Sequence, residues 1–412
     1  MSDYIQYHLV HVLAYQEYNT PLVRTQLFEQ AKVQVELKSD NAPLSVEVWI
    51  VVPFRSYWDS AFKTYLNELR NSYPKLKIRV IGGVDRIANF PQSHLIYFYR
   101  RNLGMKPVIF HFRGEDLISR FIWLKKFFNK DKLVADIRGL WPAEFLLNQQ
   151  IEVNSLEELA SNPSAKILLD RMKENLKFAD GLSTVNSKLG DAVSSLSEFE
   201  GPKWVVPCAI SNYKRNGLPI GVAKSESSEY QIGYLGGTAS YQNLPELVFP
   251  FMDVLMSKDS RVNFLIVTHE KEKMAEMIRQ YHWDSKRVRL ISVSQKEVHE
   301  CLKNLDLGLM IRRSSLVNRV AQPVKIGEYL AAGVPVLIQK GLGGLPASEY
   351  PGLIELDFEK LSLEEAAAFV LNYLQTESWE KRSKSALSSA ERLLWENHIP
   401  THRHHYQILL NQ

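Results

Sequence analysis

Short, continuously apolar segments rich in β-branched residues alternate with amphipathic stretches of helical length along most of the chain. LVHVLAY, VEVWIVVPF and KLVADI occur in the first half, and YQIGYLGG, VNFLIVT and LDLGLMI occur in the second. Strands that are apolar along their whole length are typical of parallel sheets covered by helices on both faces. The alternation therefore predicts an α/β protein built from parallel βαβ units.

The length of the chain and one change in composition predict two domains. The 412 residues exceed what one hydrophobic core holds, since domains rarely exceed about 250 residues. The segment Asn216 to Tyr230 is rich in glycine, serine and charge and is interpreted as a linker. We predict two doubly wound Rossmann-like domains facing one cleft, over residues 1–215 and 216–390. We expect a C-terminal helix, residues 391–412, to return to the first domain.

Composition limits the classes of partner and compartment. The formal net charge of +4 is too small to predict a nucleic-acid partner, although it suits a local anion site or loose attraction to an anionic membrane. Cys208 and Cys301 form neither a zinc spacing nor a disulfide framework. The chain starts without a signal-peptide pattern, and no apolar run approaches the roughly 18 residues of a spanning helix. We expect a cytoplasmic protein, with peripheral association with the inner face of the membrane as a further expectation.

The segment PVKIGEYLAAGVPVLI, residues 323–338, carries a charged pair just before a predicted strand. Lys325 and Glu328 are three residues apart and fall on one face at the start of a predicted helix, where free N–H groups attract anions. Arg312 and Arg313 follow the preceding strand, so these cations predict a diphosphate site. A glutamate among cations can accept hydrogen bonds from a diol such as a ribose. The alternative is an exposed helix-surface pair, which contributes only about 0–1 kcal/mol.

In open parallel sheets, ligands bind beyond the carboxyl ends of the strands, so the loops after strands in the first half are candidate sites as well. Asn19 precedes Thr20 and Pro21, which is helix-start chemistry as much as a candidate acceptor contact. His111 and Arg113, in the segment IFHFRGED, are further candidate acceptor-side residues.

Asp136 and Arg138 lie in the segment VADIRGLWPAEF, after another predicted strand. A guanidinium can bind a sugar hydroxyl or an acceptor phosphate, although it is a poor general base. The alternative is a structural clasp between Asp136 and Arg138. The histidines of HRHH near the end of the chain are expected to form a surface cluster and not a metal site.

The segment from Pro323 to Ile338 resembles the donor-site signature of the family-4 retaining glycosyltransferases with the GT-B fold, many of which build bacterial surface polysaccharides. The resemblance extends more weakly to NLKFADGLSTVNSKLGDAV, WVVPCAI and GYLGG. It implies that Glu328 binds the ribose hydroxyls and that Lys325, with Arg312 and Arg313, holds the diphosphate. It also implies that the nucleobase lies along the segment ending at Val293. The family uses a nucleoside-diphosphate sugar as co-substrate and needs no metal in this fold.

The sequence departs from the family pattern at several positions. Val320 stands where many members have a second glutamate that contacts the sugar. The loop after the first strand of the second half lacks the usual cation, so the N–H groups of Gly236 and Gly237 are expected to meet the diphosphate instead. The alternative for these glycines is a plain strand-to-helix turn. Arg138 stands where an Asp-x-His-Gly string places a histidine that contacts the donor sugar, so Arg138 and Asp136 are the predicted catalytic residues.

The resemblance implies a retaining glycosyltransferase that moves a sugar from a nucleoside-diphosphate donor to a hydroxyl of a saccharide or lipid-linked acceptor. Two alternatives stay open. One is a nucleotide-sugar 2-epimerase, which shares the architecture. The other is a non-catalytic paralogue that binds the donor or a partner, which the loss of the family's second glutamate and loop cation motivates.

Overall fold

The computed structural model describes residues 4–83, 89–211 and 229–412. The chain divides into two compact units. Unit 1 comprises Met1–Leu140, Ala160–Ser211 and Trp395–Gln412, and unit 2 comprises Trp141–Leu159 and Asn212–Leu394. The predicted domain boundary and all but the last two residues of the predicted linker lie outside the described residues.

Unit 1 is built on a seven-stranded sheet in which every neighbouring pair of strands is parallel. The order across the sheet is β3-β2-β1-β4-β5-β6-β7. The strands are β1 (His8–Ala14), β2 (Ser45–Pro53), β3 (Lys77–Gly83), β4 (Val108–Arg113), β5 (Lys132–Ile137), β6 (Gly181–Thr184) and β7 (Lys203–Val205). The reversal of order beside β1 places the carboxyl ends of β1 and β4 at a switch point, where open α/β sheets bind ligands.

Unit 2 repeats the design with a six-stranded parallel sheet in the order β10-β9-β8-β11-β12-β13. The strands are β8 (Tyr230–Leu235), β9 (Val262–Val267), β10 (Val288–Ile291), β11 (Leu307–Met310), β12 (Val336–Gln339) and β13 (Leu353–Leu356). Its switch point lies between β8 and β11.

Helices connect the strands in both units. They are α1 (Pro21–Val23), α2 (Glu29–Glu36), α3 (Ser60–Ser72), α4 (Asn89–Arg101), α5 (Trp141–Asn148), α6 (Leu156–Ser161), α7 (Pro163–Leu176), α8 (Ser187–Ser197), α9 (Phe249–Lys258), α10 (Lys271–Ile278), α11 (Gln295–Leu302), α12 (Leu316–Val320), α13 (Lys325–Ala331), α14 (Leu363–Thr376), α15 (Trp379–Arg392) and α16 (Trp395–Asn411). Side-chain caps fix several starts. The Asn186 side chain accepts a hydrogen bond from the Leu189 N–H at 2.9 Å, and Ser362 with Glu365 forms a capping box before α14.

The sequence pattern predicted the fold class correctly: the protein is α/β with two doubly wound parallel sheets. One strand escaped the pattern. β13 lies at the sheet edge, and only its first and last residues are fully buried, so it lacks a continuous apolar run. β10 ends at Ile291, two residues before the predicted end at Val293.

Residues 141–159 group with unit 2, although the sequence analysis placed them in the first domain. Backbone contacts account for this grouping. The Leu316 N–H donates to the Val153 carbonyl at 3.2 Å, and the Arg319 guanidinium donates to the Asn154 carbonyl. These partners are more than 150 positions apart in sequence, so no local pattern indicates them.

The C-terminal helix α16 belongs to unit 1 and completes its core. Trp395 and Tyr406 are both fully buried. The Trp395 indole donates to the Thr25 carbonyl at 3.1 Å, and its backbone N–H donates to the Ile210 carbonyl at 3.1 Å. The expected surface histidine cluster on this helix is wrong for His402. That ring is fully buried, accepts from the Trp204 indole at 3.1 Å and lies 2.8 Å from the Gln30 amide.

Among the helices of residues 4–83, 89–211 and 229–412, none combines the length and apolar character needed to cross a bilayer.

Candidate functional site

Helix α13, which carries Lys325 and Glu328, is fixed to the sheet of unit 2 through Tyr329. The buried Tyr329 hydroxyl accepts the Leu235 N–H at 2.5 Å and donates to the Gly233 carbonyl at 3.2 Å. Its ring lies against β11, where a β-carbon on Gly308 would come within 2.6 Å of the ring. The tyrosine of the KIGEYL segment therefore fixes the position of α13 relative to β8 and β11, on either side of the switch point.

Lys325 and Glu328 are only partly exposed, and the structure shows no pairing for either. Within the described residues, neither side chain has a hydrogen-bond or ion-pair partner. Burial lowers the pKa of Lys325 to about 8, while the nearby Glu328 carboxylate works in the opposite direction. Burial raises the pKa of Glu328, and Lys325 partly opposes this. The alternative of an exposed surface pair therefore does not describe these residues. Two half-buried charged groups without partners are costly unless a ligand satisfies them.

The two predicted phosphate arginines have different environments. Arg312 is 5% exposed and its guanidinium lies 5.1 Å from the centre of the Tyr241 ring. Its Nε is buried without a hydrogen-bond partner, and its charge helps to lower the pKa of Lys325. Arg313 is exposed, and its backbone N–H donates to Asn243 Oδ1 at 3.0 Å. The structure thus brings Arg312, and not Arg313, into the electrostatic environment of Lys325.

Both arginines also line a cavity of about 570 Å³ in unit 2. Its other lining residues include Glu246, Gln339 and Glu359, of which Gln339 is the last residue of β12. The cavity mixes cationic, acidic and amide groups, so it is chemically suited to a polar ligand.

The loop after β8 differs from the prediction. The Gly236 N–H donates to the Val267 carbonyl at 3.0 Å, so the expectation that it is free for a diphosphate is wrong in this structure. The Glu270 carboxylate closes the next turn, because it accepts the Thr238 N–H at 2.6 Å and the Thr238 hydroxyl at 3.1 Å. A β-carbon on Gly237 would lie 2.4 Å from Glu270 Oε2, so a larger residue there would displace the Glu270 carboxylate from this turn. Sequence reasoning missed Glu270, since only the fold brings it to this loop.

Val293 lies in the loop between β10 and α11 and is partly exposed. Val293 thus lies beyond the carboxyl end of β10, and its contact with a nucleobase stays a prediction. Val320, which stands in place of the family's second glutamate, is 4% exposed and packs as a core residue of α12. The structure therefore places no carboxylate at that position.

In unit 1 the predicted catalytic pair forms a close ion pair. Arg138 Nε donates to Asp136 Oδ2 at 2.8 Å, and Arg138 Nη1 donates to the Val206 carbonyl at 3.3 Å. His111 Nε2 and Arg113 Nη1 lie 3.7 and 3.9 Å from the same carboxylate oxygen. Burial would raise the pKa of Asp136, but Arg138, His111 and Arg113 together hold it well below its usual range. The structure thus contains the predicted clasp, and the catalytic role of the pair stays a prediction.

Two of the three acceptor-side candidates, His111 and Arg113, lie in a strand and not in a loop. His111 lies inside β4 and is buried, and Arg113 is the last residue of that strand, so both stand before the loop that was expected to carry them. Arg113 also faces Glu17, with Nε and Oε2 3.6 Å apart. Burial raises the pKa of Glu115, in the loop just after β4, to about 7.

Asn19 is exposed just before α1. Its neighbour Thr20 performs the helix-start chemistry, since Thr20 Oγ1 accepts the Val23 N–H at 3.3 Å and donates to the Glu17 carbonyl at 3.0 Å. The acceptor contact of Asn19 stays a prediction.

Several buried polar atoms around Asp136 have no hydrogen-bond partner within the part of the chain that the structure describes. They are both ring nitrogens of His11, His111 Nε2, Arg113 Nη1, Asp136 Oδ1 and Arg138 Nη2. Buried polar atoms are usually satisfied, so this concentration makes the surroundings of Asp136 a candidate functional region.

Over the described ranges, no group of three or more histidine, cysteine or acidic side chains is arranged to hold a metal ion. The expectation that the chemistry needs no metal stays a prediction.

Comparisons with solved structures show which fold this is. The chain is similar to Anabaena Alr3699/HepE in complex with UDP, with a TM-score of 0.62 and 11% identity, covering 96% of this chain and 99% of that one. It is similar to sucrose-phosphate synthase from Thermosynechococcus elongatus, with a TM-score of 0.62 and 12% identity, covering 99% and 100%. It is also similar to the pneumococcal O-GlcNAc transferase GtfA in complex with UDP and GlcNAc, with a TM-score of 0.53 and 11% identity, covering 74% of this chain but only 57% of that one.

A scan against protein-family models finds no match, and neither does a sequence comparison with curated proteins. At identities of 11–12%, the structural similarity establishes the fold, which is GT-B as the sequence predicted.

Proposed function

We propose that the protein is a retaining glycosyltransferase that moves a sugar from a nucleoside-diphosphate donor to a hydroxyl of an acceptor. The observation that carries this proposal is the unpaired, half-buried Lys325 and Glu328 beside Arg312, at the carboxyl edge of the second parallel sheet. The fold is shared with structures of HepE and GtfA that contain UDP, which supports a nucleotide-sugar donor.

We assign the donor contacts as follows. Glu328 accepts hydrogen bonds from the ribose hydroxyls, and Lys325 and Arg312 hold the diphosphate. Arg313, which is exposed, contributes a more solvent-screened charge. The nucleobase lies along the loop that contains Val293. Gly237 allows close approach to the diphosphate, whereas the N–H of Gly236 is already bonded.

The proposed mechanism relies on stabilising the leaving group. Cations around the diphosphate lower the energy of the developing negative charge as an oxocarbenium-like sugar forms. The leaving diphosphate takes the proton of the acceptor hydroxyl on the same face, so the anomeric configuration is retained. Arg138, oriented by Asp136, binds a sugar hydroxyl or the acceptor, while Asn19 and Arg113 belong to the acceptor side. The buried His111 acts only through its contact with Asp136. No metal is required.

We propose a saccharide or lipid-linked acceptor and a role in bacterial surface polysaccharide synthesis, because the donor segment resembles transferases of that kind. The reaction is assigned to the cytoplasm. Phe98, Met105 and Phe127 of unit 1 have exposed apolar side chains, and several lysines and arginines lie between them in the sequence. Apolar and basic side chains together favour an anionic membrane surface, which supports a peripheral contact with the membrane. Co-sedimentation with anionic but not neutral vesicles would support this contact, and equal recovery with both would contradict it.

The test of the proposed function is a thermal-shift screen against a panel of nucleotide sugars, followed by NMR of each stabilising compound with the protein. A ligand that binds the native state raises its melting temperature by mass action. Release of nucleoside diphosphate with retained anomeric configuration supports a transferase. Conversion into a different nucleotide sugar would show an epimerase, and stabilisation without turnover would show a binding paralogue. Absence of any stabilisation would contradict the donor site.

A further inference from the structure

A chain of buried side chains connects the C-terminal helix to Arg138. The Tyr406 hydroxyl lies 2.7 Å from His111 Nδ1, on the opposite side of the imidazole from Asp136. His111 Nε2 lies 3.7 Å from Asp136 Oδ2, the same oxygen that accepts the hydrogen bond from Arg138 Nε. Tyr406, His111 and Asp136 are each at most 2% exposed, so bulk solvent does not reach these contacts.

The direction of the Tyr406–His111 hydrogen bond follows from the surroundings. If the tyrosine donates to Nδ1, the imidazole proton is on Nε2 and faces the Asp136 carboxylate, which is favourable. If Nδ1 donated instead, a lone pair on Nε2 would face a carboxylate that the neighbouring cations keep ionised in spite of its burial. In the part of the chain that the structure describes, the Tyr406 hydroxyl would then also have no other partner to accept its proton. The arrangement therefore favours the Nε2–H tautomer.

Two further rings flank His111. His11 and His402 have ring centroids 5.2 and 5.1 Å from that of His111. Burial lowers the pKa of each well below its usual value. Neutral neighbours of this kind add no charge to the site. The contact from α16 to His111 therefore acts mainly by selecting which ring nitrogen of His111 carries the proton.

We propose that Tyr406 is a positioning residue: it holds His111 as the Nε2–H tautomer, which orients the Asp136 carboxylate and through it the Arg138 guanidinium. This assignment rests on the proposed function for its effect on catalysis, because Arg138 is the predicted catalytic group. The tautomer itself is independent of any activity.

The variant Tyr406→Phe tests the proposal, because it removes the hydroxyl and keeps the ring. Tyr7→Phe is the matched control. Tyr7 is also fully buried, its ring centroid lies 6.0 Å from that of Tyr406, and its hydroxyl bonds only weakly to the Asn41 carbonyl at 3.4 Å. Both variants delete one buried hydroxyl from the same core, but only Tyr406→Phe removes the contact with His111.

The first readout is long-range proton–nitrogen NMR of protein labelled with ¹⁵N-histidine, at about pH 8, where imidazoles are neutral. The variant His111→Asn assigns the signals. We expect His111 to be the Nε2–H tautomer in the wild type and in Tyr7→Phe, and to shift toward Nδ1–H in Tyr406→Phe. A wild-type Nδ1–H signal, or an unchanged tautomer in Tyr406→Phe, overturns the proposal whether or not the protein transfers a sugar.

The second readout is steady-state transfer from the donor identified by the screen. We expect kcat to fall on the order of tenfold or more in Tyr406→Phe, with unchanged nucleoside-diphosphate affinity, because a misplaced tautomer disturbs the orientation of a reacting group. Tyr7→Phe should keep the wild-type kcat. Equal kcat values for the two variants contradict the catalytic consequence of the Tyr406 contact.

Discussion

The lowered pKa of Lys325 predicts that nucleoside-diphosphate affinity depends on pH. Burial lowers this pKa to about 8, so the free protein loses the ammonium charge in a range where lysine is ordinarily protonated. A bound diphosphate favours the charged form. The affinity for a nucleoside diphosphate should therefore be highest below about pH 8 and should weaken as the pH rises above that value.

The size of the effect follows from the fraction of charged lysine. At about pH 9, one unit above the pKa, about one tenth of the free protein carries the Lys325 ammonium. Binding must then take up a proton, which reduces the apparent affinity about tenfold, or about 1.4 kcal/mol, relative to neutral pH. The terminal phosphate has lost its last proton well below this range, since such groups titrate near about pH 6.

Calorimetric titration of the wild type and of Lys325→Arg with the same nucleoside diphosphate, from about pH 7 to pH 9, measures this loss. Arginine stays charged throughout, so the variant should show a much flatter profile. Titration of the nucleobase affects both proteins equally and cancels in the comparison. Parallel profiles for the two proteins would refute the assignment of Lys325 to the diphosphate.

Three other changes test separate parts of the account. In Glu270→Gln, nucleoside-diphosphate affinity should rise several-fold because a negative charge near Lys325 is removed; weaker binding in calorimetry would show that Glu270 instead shapes the donor loop. In Arg138→Ala, turnover should fall strongly at nearly unchanged nucleoside-diphosphate affinity, and near-wild-type kinetics would reduce the residue to a structural clasp. Trp395→Ala should cost about 3–5 kcal/mol of unfolding free energy in denaturant titration. The exposed Trp58→Ala control should cost far less, and equal losses would contradict the role of α16 in the core of unit 1.

The parts of the fold that were predictable from sequence are those that depend on local features, such as an apolar run or the spacing of two charged residues. β5, Lys132–Ile137, was predicted with its bounds, because a buried parallel strand needs a continuous apolar run. Helix α13 was predicted with Lys325 and Glu328 in its first turns, because their spacing and the following glycine and strand are local features. β13 was missed because an edge strand that is only partly buried carries no such run.

The remaining features depend on contacts between distant residues. Nothing near Glu270 in sequence shows that its carboxylate binds the Thr238 N–H, 32 positions earlier. His402 belongs to a polar sequence, HRHH, and yet it is buried because α16 inserts one face into the unit 1 core. The Tyr406–His111 contact joins residues 295 positions apart. Such pairings are set by the topology of the sheet and the return of the last helix, which residue periodicity does not encode.

The most direct test of the central claim is calorimetric binding of UDP to the wild type, to Glu328→Ala and to the exposed control Glu272→Ala. Loss of a charged hydrogen-bond partner of the ribose should cost about 1.5–3 kcal/mol, which weakens binding by about tenfold to somewhat over a hundredfold. We predict this loss for Glu328→Ala, with an unchanged melting temperature in the absence of ligand, and wild-type affinity for Glu272→Ala. Equal UDP affinity in all three proteins would contradict the claim that α13 carries the nucleotide site.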